Sequence, residues 1–142
     1  MHRAELFIVT AFLEVGAGLL LLFVPSVFLV LLLGVEQAAP ESLFVARVAG
    51  AALLSLGVAC GVGWKSNRNP ARLGLSIGIL IYDVTVAGLL TYAGLLSNRI
   101  GVALWPAVAL HGSLSVWCAQ SLRDELRGEN IERKRSMIHD SP

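Results

Sequence analysis

The sequence predicts an all-α integral membrane protein: a four-helix bundle with a short extra helix after the first span. Three observations carry that prediction. Hydrophobic residues make up 56% of the 142 residues and charged ones only 15%, against about a quarter charged in an ordinary soluble domain. Four apolar stretches, at about 5–24, 43–63, 72–95 and 100–122, each come near the roughly 20 residues that cross a ~30 Å hydrocarbon core. Lys and Arg, finally, gather on one side of those stretches.

The first apolar stretch follows Arg3, but Glu5 and Glu14 interrupt it and no A-x-A site comes after it. A cleaved signal peptide is therefore not expected. The stretch runs on to Leu33, too far for one straight helix. Pro25-Ser26 breaks it, because proline removes a helix donor and crowds the preceding turn, while Ser26 suits a new helix start. A short outer helix over 26–33, closed by Gly34, follows from this. Pro40 and then Ser42 open the second span; the third carries Tyr82 and Asp83 at its centre. The fourth is expected to continue to Arg127 and stop at Gly128. That division gives a bundle over 1–127 and a cytoplasmic tail over 128–142. From Arg123 onward the chain holds five basic and five acidic residues, which suits a solvated end.

Orientation follows from the basic residues near the span ends. Four spans put Arg3, Lys65, Arg68, Arg72, Arg123, Arg127, Arg133, Lys134 and Arg135 on one side, and leave Arg99, with Arg47 just inside the second span, on the other. Nine against two places both termini in the cytoplasm and the protein in a bacterial-type cell inner membrane, as a multi-pass protein. Trp64 and Trp117 toward the inner boundary, with Tyr92 and Trp105 toward the outer, fit an aromatic belt. Helices in lipid pack through small residues. Ala46-x3-Gly50, Gly57-x3-Gly61 and Gly74-x3-Gly78, with Gly16, Gly18, Gly88 and Gly94, are the surfaces expected to make contact.

The chemistry lies in three ionisable groups, each near the middle of a span: Glu14, Asp83 and His111. At ~1.5 Å per residue each lies roughly 15–17 Å below the outer boundary. A carboxylate at that depth costs roughly 2.5–3.5 kcal/mol on insertion scales unless it is neutralised, paired or hydrated. Helical spacing sets each beside small or polar residues: Thr10, Ala17, Gly18 and Leu21 with Glu14; Ser76, Ala87 and Leu90 with Asp83; Ala107, Ser115 and Cys118 with His111. All three are thus expected to point inward. Arg47 lies only about 6 Å deep and points outward along its helix, so snorkelling is its cheapest behaviour.

Three readings follow. The first is an intramembrane site, drawn from Glu14, Arg47, Tyr82, Asp83 and His111, that binds a small amphiphilic or lipophilic ligand. The second is acid–base catalysis, an isomerisation or cyclisation of an isoprenoid-type substrate, with Glu14, Asp83 and His111 as the catalytic candidates. The third is an accessory subunit in a homo-oligomer or larger membrane complex. An interlocked polar core without a ligand fits the same residues. Glu14 and Asp83, one acid in each half, also suit a 2+2 parallel repeat. Membrane lipid is the one certain partner; nothing points to nucleic acid. No metal site or cofactor is read, because H-E-x-x-H, a phosphate loop and a G-x-S-x-G elbow are all absent. His111 lacks a second axial ligand at its depth for haem, and Cys60 and Cys118 form no C-x-x-C pair.

The runs FLEVGAGLLLLFVPS (12–26), ARVAGAALLSLG (46–57), LIYDVTVAGLLTYAGL (80–95) and LWPAVALHGSLSVW (104–117) resemble small uncharacterised four-helix bacterial inner-membrane proteins of unknown function. The likeness extends to about Arg123. Glu14, Arg47, Tyr82 and His111 match that group's polar positions; Asp83 departs, where an amide would be expected. The resemblance implies the fold and the membrane location, and no activity.

Overall fold

Prolines and glycines punctuate this chain into five helices. The structure, a computed structural model, describes residues 2–63, 70–96 and 100–139. The helices are α1 (His2–Phe23), α2 (Pro25–Leu33), α3 (Pro40–Gly63), α4 (Pro70–Leu96) and α5 (Leu104–His139), with no strand among the described residues. Trp64, Lys65, Arg68 and Arg99 lie outside the described residues.

Among the described residues, three stretches are helical, long and apolar enough to cross a membrane: Glu5–Phe23, Pro40–Gly63 and Arg72–Leu96. The expected span 100–122 is not among them. From Leu104 on it falls on the first half of α5, where His111, Gln120 and three serines at 113, 115 and 121 dilute its apolar character. Many large hydrophobic side chains face outward, among them Phe12, Phe44, Val62, Leu95 and Val102. An exposed apolar surface of that extent would drive a soluble protein to aggregate and suits lipid instead.

The break after α1 differs in detail from the expectation. Val24 is the cap, with ψ at 53° and no side-chain hydrogen bond, and Pro25 takes the first helical position. Ser26 is not needed as a cap, since proline at that position wastes no donor and already has a helical φ. Gly34 closes α2 in the left-handed conformation, at φ 67°, donating to the Val30 carbonyl. Beyond it, the Ala103 N–H donates to the Leu31 carbonyl at 2.8 Å. A Cβ on Gly101 would run into that same carbonyl, so glycine is what lets the α5 entry close over the end of α2. At its far end α5 does not stop at Gly128 but continues to His139. A mid-helix glycine costs only about 1 kcal/mol, too little to end a helix by itself.

Packing divides the helices into two antiparallel pairs. In the first, Gly18 of α1 meets Gly50 of α3 so closely that a Cβ on either would sit 2.8 Å from the other's carbonyl oxygen, and Gly57 lies against Ala11 and Val15. In the second, Gly94 of α4 receives Leu104 and Trp105 of α5, and the Cys118 thiol donates to the Ser76 carbonyl at 3.3 Å. At Gly16, Gly74, Gly78 and Gly88 a Cβ would meet open space, with nothing within 4 Å. The Gly74-x3-Gly78 surface thus makes no contact among the described residues, because α4 turns its other face to α5. The pairs meet at one end in a core of Leu6, Phe7, Cys60, Ile79, Leu114 and Cys118, against which Trp117 packs. Arg72 lies at that end too, its guanidinium 5.4 Å from the centre of the Phe7 ring.

Candidate functional site

The polar residues form a layer directly above this core. Glu14 comes from α1, Tyr82 and Asp83 from α4, and His111 from α5. Glu14 and Asp83 each sit on the first helix of a pair, and contacts from Phe7 to Arg72 and from Glu14 to Tyr82 show those helices running parallel. Both carboxylates are withdrawn from the surface, Glu14 at 2% exposure and Asp83 at 0%. The inward direction expected from their helical spacing is the direction they take.

Asp83 Oδ1 and His111 Nδ1 are 2.7 Å apart. Tyr82 donates its hydroxyl to Glu14 Oε2 at 3.3 Å, and its ring meets the His111 imidazole edge-on, with centroids 5.7 Å apart. Two acid–partner pairs therefore stand side by side, joined through the ring contact. Two buried oxygens have no hydrogen-bond partner among the described residues: Asp83 Oδ2 and, one turn before Glu14, Thr10 Oγ1. One ligand atom from each of Glu14, Asp83 and His111 falls within 4.8 Å of the other two, close enough to hold a metal ion.

Above the polar layer, on the side of α2, the two pairs separate and leave a cavity of about 580 Å³. Its wall draws on all five helices, with Ala17 and Leu21 of α1, Phe28 of α2, Leu53 of α3, Leu90 of α4 and Ala107 of α5 among them. Among the described residues, Glu14, Tyr82 and His111 are its only polar side chains. Asp83 stands behind His111 and does not reach the wall. Arg47 is exposed on α3 and lies outside the wall, so the structure does not bring it to the other four. Its outward tilt near the helix start leads it to the surface rather than to the acids.

Phe28 and Leu32 of α2, which cover the cavity, were not foreseen from sequence. The signal available was the pair Gly34 and Gly101, whose close approach folds α2 back over the bundle. Comparisons with protein-family models, with curated proteins and with solved structures found no match to this chain.

Proposed function

We propose that this chain is a small inner-membrane protein of four spans, with α5 as the fourth and both termini cytoplasmic, whose cavity binds a small amphiphilic or lipophilic ligand. The observation that carries this reading is the shape of the site: an apolar chamber of about 580 Å³ with three polar groups gathered at its base. Volume and composition both fall within the range of small-molecule sites, which are mostly apolar with a few convergent polar groups. A hydrocarbon body would fill the chamber toward α2, and a polar head would meet Glu14, Tyr82 and His111.

The Asp83–His111 contact supports a second reading. With Nδ1 held by a carboxylate, the imidazole has its tautomer and orientation set, which is how a histidine is readied as a general base. Isomerisation or cyclisation of a bound isoprenoid-type lipid is the chemistry such a pair would serve. An accessory subunit, seated in a larger membrane assembly, is the third reading.

One experiment separates the first two. Lipid extract is added to the purified protein in mild detergent, thermal stability is followed, and the recovered lipid is weighed by mass spectrometry. Binding predicts stabilisation that Ala107→Phe, which fills the chamber, abolishes while the protein stays folded. A lipid recovered with altered structure favours catalysis. Equal stabilisation of wild type and Ala107→Phe would remove the cavity from the account.

A further inference from the structure

We propose that Glu14, Asp83 and His111 form a binding site for one divalent transition-metal ion, of the Zn²⁺ or Mn²⁺ class. This goes beyond ligand binding in the cavity and stands on the three side chains themselves. They come from three different helices, α1, α4 and α5, and converge with ligand atoms within 4.8 Å of one another. Ion ligands at ~2.1 Å from a common centre lie roughly 3–3.5 Å apart, so the set closes on an ion with shifts of a side chain's own reach.

Asp83 supplies the independent observation. It is fully buried, and its Oδ2 has no hydrogen-bond partner among the described residues while Oδ1 faces His111. A buried carboxylate oxygen without a donor is costly, and a cation bound between the two acids removes that cost. The arginines of the spans do not serve: Arg47 is exposed, and Arg72 lies over the Phe7 ring. Two carboxylates also repel each other in a low-dielectric layer, and a double positive charge answers both.

The donor set selects the ion. Two carboxylates and one imidazole suit Zn²⁺, Mn²⁺ or Fe²⁺, whereas Mg²⁺ and Ca²⁺ ask for six or more oxygen ligands. Tyr82, donating to Glu14 Oε2 at 3.3 Å, would orient that ligand from outside the coordination sphere. Glu14 and His111 also line the cavity, so a coordination position facing it would remain for water or a ligand's head group.

The test uses full-length protein in mild detergent, stripped with a chelator, then titrated separately with Zn²⁺, Mn²⁺ and Mg²⁺. Bound metal is counted by plasma mass spectrometry and stability is followed by thermal unfolding. The expected result is one Zn²⁺ or Mn²⁺ per chain with a rise in Tm, and little response to Mg²⁺. Asp83→Asn and His111→Ala should each weaken binding at least tenfold, and the absorption bands of Co²⁺ bound to wild-type protein should report an oxygen–nitrogen set. Ala107→Phe, which fills the cavity, should still bind the ion, which keeps this site distinct from the cavity's ligand. No bound ion in the wild type, or stoichiometric binding that survives both Asp83→Asn and His111→Ala, overturns the proposal.

Discussion

Asp83 is a carboxylate with no exposed surface. It is fully buried at the level where α1, α4 and α5 converge, and it answers that burial with a close contact to His111 Nδ1 at 2.7 Å. Interhelical hydrogen bonds in membrane bundles contribute about 0.6 kcal/mol on average and reach about 1.7 kcal/mol. A short contact between two ionisable groups belongs at the upper end of that range. A double-mutant cycle of Asp83→Ala with His111→Ala, read by thermal unfolding, should therefore give a coupling of about 1–2 kcal/mol. A coupling near zero would mean that the two residues lie near each other without holding the helices together. Glu14 is buried on weaker terms, its hydrogen bond from Tyr82 being longer at 3.3 Å.

Among the elements, the two helix pairs are held by different means. The α1–α3 seam relies on backbone approaching backbone at Gly18, Gly50 and Gly57. A methyl group at Gly18 or Gly50 would meet main-chain atoms that cannot swing aside. Gly18→Ala and Gly50→Ala should each destabilise by about 1–3 kcal/mol, the ordinary cost of overpacking. Gly74→Ala and Gly78→Ala meet open space, and the gain in helix propensity should leave stability unchanged or slightly raised. Thermal unfolding of the four variants checks the contrast, and equal losses at all four would contradict the seam. Glycine spacing in the sequence marked both groups of positions alike. Which of them meet a neighbour depends on the rotation of each helix, and local spacing does not set that rotation.

At the scale of the whole molecule, the arrangement is a wedge. The pairs touch at the Leu6–Cys118 core, are bridged by the polar layer, and part toward α2 to leave the cavity. The proposed orientation predicts that a fluorescent reporter at the C-terminus lights up in the cytoplasm. Alkaline phosphatase inserted at Glu36–Gln37, between α2 and α3, should be active on the outer face. A C-terminus on the outer face, with the N-terminus inside, would mean that only three helices cross.

The sequence by itself determined that the chain is helical and made for lipid, that Pro25 breaks the first apolar stretch, and which faces of the spans carry Glu14, Asp83 and His111. These are local properties, set by apolar runs, by proline and by the 3.6-residue period. Only the tertiary structure decided that α2 folds back to cover a cavity, that Arg47 stays apart from the acids and that Gly74 and Gly78 stay bare. It alone brought positions 14, 83 and 111 within ligand distance of one another. Such outcomes depend on how whole helices rotate and tilt against their neighbours, and that is settled by the sum of many weak contacts between residues far apart in the chain.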